Sequence, residues 1–352
     1  MSTVDPKAHS CCSSLRAKPK VWYRSVMNWL LILCAFLTGL SFVLPGLAGY
    51  QHAFIHYADK LWLPVTAGLL LGGLLDRYIP ESYVSKHLAR PGKSTVFYAV
   101  GFGFLMSTCS HGLIALSMEL HRKGASGPAI VSFLLASPWA SLPITLLLFG
   151  LFGAKALLII LGALTIAVVT GLIFQALDRA ALIEKNKHTI AVREDFSIRK
   201  DLYRRWRGYR FSWQGAAGDA RAIARGAWAL AGMTMSWTLV GLVIACLASA
   251  FVPETFFHRF LGPSVLGLLA TLAFAAVLEV CSEGMAPVAF ELYRQTGAFG
   301  NAVAFLMGGV VTDYTEIGLI WQNIGRRTAI WFLAVSLPQV FLLGFLLNYF
   351  GV

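Results

Sequence analysis

The chain has 352 residues, 57% hydrophobic and only 13% charged, with a formal net charge of +12. Soluble globular domains carry about a quarter charged residues, so that class is excluded, and the alternating pattern of a membrane β-barrel is absent. The basic excess lies between apolar runs, where cytoplasmic loops of membrane proteins carry it, so nucleic acid is not an expected partner.

Residues 1–25 form a polar leader with the vicinal pair Cys11-Cys12 beside His9. The pair reads either as an incidental polar tail or as an auxiliary soft-metal or arsenical contact. The leader is too long for a cleavable signal peptide, so none is expected. About nine apolar segments follow, near 26–48, 60–79, 95–119, 128–152, 154–176, 227–252, 263–290, 299–324 and 328–350. Each approaches the roughly 20 residues that span a bilayer as a helix. The expected fold is therefore an all-α polytopic membrane protein. The cysteines are scattered among these segments, which argues against a disulfide framework. Between 179 and 226 lies a basic linker, with Arg204, Arg205, Arg207 and Arg210 interleaved with Trp206, Tyr209 and Trp213. Such a segment suits an anionic leaflet.

Two stretches repeat one another. Cys109-Ser110-His111-Gly112 leads to Glu119-Leu120-His121-Arg122-Lys123-Gly124-Ala125; Cys281-Ser282-Glu283-Gly284 leads to Glu291-Leu292-Tyr293-Arg294-Gln295-Thr296-Gly297-Ala298. Pro80-Glu81 precedes the first as Pro253-Glu254 precedes the second. Charge counting puts the N-terminus and the linker inside, provided that 95–120 enters and returns rather than crossing. The same reading makes 263–292 a hairpin from the outside and 49–60 an outer loop, with His52, His56 and Asp59 exposed on it. Each copy then makes an odd number of crossings, so the copies insert in opposite senses. The expected domains are 26–59 (an extra span and loop), 60–178 (repeat 1), 179–226 (cytoplasmic linker) and 227–352 (repeat 2). Together they form an inverted repeat with broken or re-entrant hairpins.

Inverted repeats place broken segments face to face near the midplane, where transporters hold substrate. The expected substrate-binding residues are Thr108, Cys109, Ser110 and His111 from one copy, Cys281, Ser282 and Glu283 from the other, and Pro138 and Thr312 at breaks in the partner helices. Acids at membrane depth face a bundle interior and relay protons or cations; Glu283, Asp313 and Glu316 are the candidates. Thiolate and imidazole suit soft or borderline metals and metalloids, which nominates Cys109, His111 and Cys281 and, more weakly, Cys11 and Cys12. Each cysteine alone also reads as a small buried hydrophobe. Gly92-Lys93-Ser94 lacks the strand and glycine of a phosphate loop, so no ATPase domain is expected in this chain, and no cofactor.

The motifs Ser137-Pro138-Trp139-Ala140-Ser141, Cys281-Ser282-Glu283-Gly284-Met285-Ala286-Pro287, Gly297-Ala298-Phe299-Gly300-Asn301 and Thr312-Asp313-Tyr314-Thr315-Glu316, with the first-copy repeat, resemble the predicted permease family that includes the ArsP organoarsenical efflux permeases and their YraQ-like relatives. The resemblance covers roughly 60–350. It implies a permease of the bacterial cytoplasmic membrane, exporting trivalent organoarsenicals or metals, with thiols binding the arsenic. Relatives often read Cys-Ser-Cys-Gly in the first copy; here His111 stands in place of the second Cys, which puts a paired-thiol site in doubt.

The leading expectation is thus a secondary efflux permease for a metalloid or metal species, a small-molecule or ion substrate moved across the lipid bilayer. Two alternatives stay open: a permease for a non-metal solute with structural cysteines, and a membrane enzyme using Cys and His. A duplicated motif counts against the enzyme. Oligomeric state is not legible.

Overall fold

The computed structural model describes residues 26–42, 44, 47–78, 88, 94–105, 113, 116–118, 120–121, 124–186, 213–278 and 281–351. Every regular element among them is helical. The N-terminal half contains α1 (Val26–Ser41), α2 (Ala48–Tyr78), α3 (Ser94–Leu105), α4 (Gly127–Ala140), α5 (Leu142–Phe152) and α6 (Ala156–Arg179). The C-terminal half contains α7 (Trp213–Phe251), α8 (Glu254–Leu261), α9 (Val265–Leu278), α10 (Ser282–Thr296), α11 (Phe299–Val311), α12 (Tyr314–Asn323) and α13 (Arg326–Tyr349).

Two boundaries differ from the sequence reading. Residues 49–60 are not a loop but the first turns of α2. Neither Gly nor Pro interrupts the chain between Gly49 and Pro64, and His52, His56 and Asp59 fall at helical spacing on one face. Residues 213–226, read as linker, open α7; their alanines are strong helix formers.

Three stretches are long and apolar enough to cross a membrane: 127–179, 299–323 and 326–349. A fourth is the end of α7 with α8, if that pair, bent by 109°, counts as one span. Helices α4 and α11 are buried along their whole lengths and pack on each other. A helix apolar all round has no solvent face and belongs in a core. Around α4 gather α3 and α6, and around α11 gather α9 and α13. The outward faces carry large exposed apolar side chains, among them Leu157, Leu161 and Leu172 of α6 and Leu342, Phe345 and Leu346 of α13. On a chain of this composition those bands face lipid.

Helices α9 and α10 form a hairpin. Near its entry, Asn301 at the start of α11 donates from Nδ2 to the carbonyls of Leu261 (2.8 Å) and Gly262 (2.9 Å), and approaches Thr271 Oγ1 of α9 (3.2 Å). Further along, Gly308 of α11 meets Leu272 and Ala275 of α9, and Gly309 meets Met285 of α10. So α9 runs alongside α11 in the same sense and α10 runs back against it. The chain enters and leaves at one end, and the tip is at 279–281. Helix α10 has 15 residues, about 22 Å at 1.5 Å per residue, less than the roughly 30 Å hydrocarbon core. Gly297, at φ 66, ends α10 in the left-handed conformation that suits glycine. Asn301 Oδ1 accepts from Asn348 Nδ2 (2.6 Å), and Asn348 Oδ1 accepts from Gly300 N (2.8 Å), which docks α13 at the same point.

A short strap follows α6. Asn186 Nδ2 donates to the carbonyls of His121 (2.7 Å) and Ala125 (2.8 Å). Two residues earlier, Glu184 accepts from the N–H groups of Arg327 and Thr328 (2.9 Å each) and from the Thr328 hydroxyl (2.9 Å). It thereby caps α13 from the other half of the chain. Partial burial works against ionisation of Glu184, but these hydrogen bonds outweigh it and hold the carboxyl below its ordinary range. A lowered carboxylate contributes stability above the unfolded pKa, about 4.3, and loses it as pH falls through the folded value.

Replacing Asn301 by Leu is expected to destabilise the protein by on the order of 3 kcal/mol, because buried carbonyls and Asn348 lose their partner; thermal unfolding in detergent measures it. Glu184→Gln should cost about 1 kcal/mol at pH 7, and the gap to wild type should close as pH is lowered below 4.

Candidate functional site at the hairpin tip

Cys281 occupies the N-cap position of α10, with its carbonyl accepting from Gly284 N (2.8 Å) and Met285 N (2.9 Å). Its thiol is partly exposed and free. Ser282 and Glu283 are buried in the first turn, and the Ser282 hydroxyl donates to Glu283 Oε2 (3.2 Å). The local sequence allows close seating. A Cβ on Gly241 of α7 would strike the Gly284 carbonyl, and a Cβ on Gly309 would strike Met285. The first turn of α10 is therefore seated against α7 by a backbone approach that glycine permits, and packs on α11 through Met285.

Antiparallel packing fixes what lies beside it. Met285 touches Gly309; Cys281 is one turn before Met285, and Thr312-Asp313 is one turn after Gly309. Both groups therefore lie at the same end of the α10–α11 pair. There α11 breaks. The Thr312 hydroxyl donates to Gly308 O (2.8 Å). Asp313 is the N-cap of α12, its Oδ1 accepting from Thr315 N (2.8 Å) and Glu316 N (3.2 Å). Glu316, by contrast, is 1% exposed and neither carboxyl oxygen has a hydrogen-bond partner among the described residues. A carboxyl so placed is costly unless it takes up a proton or a cation.

Pro138 lies buried at the end of α4, where Ser141 separates α4 from α5. This second break leaves Ser137 Oγ and Trp139 Nε1 buried without partners among the described residues. It belongs to a different helix, a neighbour of α11. Thr108, Cys109, Ser110 and His111, and Cys11 and Cys12, lie outside the described residues. Of the metal-binding candidates only Cys281 is described, and among the described residues no three His, Cys, Asp or Glu side chains gather to hold a metal.

One polar group escaped the sequence reading. Glu291 of α10 is 1% exposed and accepts from the Tyr57 hydroxyl, from Arg294 Nε (2.9 Å) and Nη2 (2.8 Å), and from Gln295 Nε2 (2.6 Å). Arg294 Nη2 also reaches Ser249 Oγ of α7 (2.7 Å). The signal was present: an acid and an arginine three apart in an apolar run, recurring as Glu119 and Arg122 in the first copy.

Broken apolar helices with buried acids are what a permease needs, and the comparisons agree. Residues 47–349 match the family ArsP_1, described as "Predicted permease". The chain belongs to this permease family. It is 26% identical over 243 residues to a Mycobacterium tuberculosis protein named "Putative permease Rv2963", covering 62% of this chain and 56% of that one. The permease thus spans little more than half the length of that relative. A Streptococcus mutans protein named "Putative two-component membrane permease complex subunit" is 18% identical over 275 residues, 77% of this chain and 86% of the relative. No solved structure matches the chain. Family and helices together make it a multi-pass membrane protein of a permease family.

Gly241→Val should unseat α10 from α7, since the obstacle is backbone rather than a movable side chain. The expected outcome is loss of folded protein in size-exclusion chromatography, whereas Gly232→Val, where a Cβ meets nothing, should leave the elution profile unchanged.

Proposed function

We propose that the permease is a secondary exporter of a metalloid or metal species, of the trivalent organoarsenical or soft-metal class, working by alternating access around a midplane site. The observation that carries this reading is the end of the α10–α11 pair. There a free thiol, Cys281, and the buried acids Glu283 and Glu316 share one region of an otherwise apolar interior. Thiols bind soft cargo; buried carboxyls carry protons or cations. Thr108, Cys109, Ser110 and His111 complete the binding site from the other copy, with Pro138 and Thr312 opening the backbone and Ser282 beside the thiol. Glu283, Asp313 and Glu316 couple the gradient: Asp313 holds the helix end and Glu316 exchanges the ion.

In this reading repeats 60–178 and 227–352 are inverted copies. Their matching neighbourhoods, α3–α4–α6 and α9–α11–α13, support that relation. The protein sits in a bacterial inner membrane with the N-terminus and the 179–226 linker on the cytoplasmic side. The name of the streptococcal relative also favours a second subunit as a partner. A second substrate reading, a non-metal solute with structural cysteines, draws support from Cys246, buried in the apolar interior of α7.

The test is proton-driven uptake of a trivalent organoarsenical into everted vesicles. Cys281→Ser should lower uptake by more than about tenfold, a loss of at least about 1.4 kcal/mol, with an unchanged melting temperature. Glu316→Gln should keep arsenical binding and abolish the response to the gradient. Wild-type uptake by Cys281→Ser would remove this thiol from the binding site, and absence of gradient-driven arsenical uptake by the unmodified protein would favour the non-metal reading.

A further inference from the structure

A cleft of about 950 Å³ opens between α2, α7, the start of α8 and the C-terminal end of α10. His52, His56, Asp59, Glu254 and Ser249 line its walls, and Tyr57, Arg294 and Gln295 line it where it meets the Glu291 network. The cleft and the hairpin tip lie at opposite ends of α10. From Glu291 to Cys281 is ten residues of sequence, about 15 Å of helix rise.

We propose that this cleft is the mouth of the transport path on the side away from the linker, and that Tyr57, Glu291 and Arg294 are its gate. The proposal rests on the alternating-access reading above. The network joins α2 to α10 through Tyr57 and Glu291, and α10 to α7 through Arg294 and Ser249. Aromatic packing seals the flank. Phe152 at the end of α5 lies edge-on to Phe290 (5.3 Å between centroids) and against Tyr293 and Phe299 (6.0 Å each). Tyr57 lies edge-on to Phe290 at 6.0 Å. Lys60 Nζ sits 4.6 Å over the Phe290 ring, and Lys155 Nζ donates to the Tyr293 hydroxyl at 2.8 Å. Thus α2 and α5 of the first half close on α10 and α11 of the second.

The chemistry suits a contact that opens. Here a single carboxylate gathers four donated hydrogen bonds, and Arg294 is 45% exposed, already reaching water through the cleft. Gln295 Oε1 is buried without a partner among the described residues, an acceptor left for a second arrangement. Hydrogen bonds that share one buried carboxylate strengthen one another, so removing one donor weakens the closure as a whole.

The experiment labels Cys281 as the lone cysteine, with Cys11, Cys12, Cys34, Cys109 and Cys246 changed to Ser, in sealed membranes using an impermeant maleimide. His56→Cys in a cysteine-free chain identifies the face on which the cleft opens. From that face the parent should label slowly. Tyr57→Phe, which deletes one hydroxyl and keeps the ring, should label about tenfold faster, the ratio expected for a hydrogen bond of about 1.4 kcal/mol. Glu291→Gln should do the same. Unchanged labelling in a folded Tyr57→Phe protein, or rapid labelling of the parent from the cleft face, overturns the gate. Labelling needs no transported substrate, so a failure of the arsenical reading leaves this result intact.

Discussion

Everything at the candidate site depends on one amide. Asn301 holds the entry of the α9–α10 hairpin against its exit and ties both to α13 through Asn348. A chain that turns back inside a bilayer must bring its two ends to the same surface, and its backbone groups must find partners there. Leu261 and Gly262, at the bend where α8 gives way to α9, have carbonyls beyond the helical ladder, and Asn301 supplies their donors. With the open end pinned by Asn301 and the first turn of α10 seated against Gly241 of α7, the position of Cys281 follows.

The second constraint is thickness. Taken singly, α9, α10, α11 and α12 are too short to cross, and so are α4 and α5, although 127–179 and 299–323 as whole stretches are long enough. Half-length helices end in mid-membrane, and helix ends carry unpaired N–H and C=O groups. Some are satisfied locally: the Asp313 side chain caps α12, and at the α4–α5 junction the Ser141 backbone N–H donates to Ser137 O (3.0 Å). The Glu316 carboxyl is left over, buried with neither oxygen partnered among the described residues, and the proposed function assigns it the coupled ion.

Much of this was legible in the sequence, and the failures have physical causes. The helix breaks before 142, at 312 and ahead of Ser282 stand in the chain, because helix-breaking residues within apolar runs mark them directly; the repeat remains a reading of the sequence. Asp313 and Glu316 had a double meaning: two acids three apart read as paired ion carriers and equally as an N-cap followed by its third residue. Only packing shows that Asp313 is occupied with the backbone while Glu316 is not. Residues 49–60 looked like a loop because polar residues at a membrane edge and polar residues facing a water-filled cleft have the same composition. Glu291 and Arg294 were seen as markers of duplication; their partner Tyr57 is 234 residues away in sequence, beyond the reach of any local pattern. The residues of the first hairpin, Thr108 to His111, lie outside the described region.

The strap after α6 has a mechanical meaning. Asn186 grips the turn that leads into α4, while Glu184, two residues before it, grips the first turn of α13. Those helices belong to different halves, and the basic segment begins immediately afterwards. A pull on the chain at this point reaches both halves within two residues, which makes the strap a yoke between them.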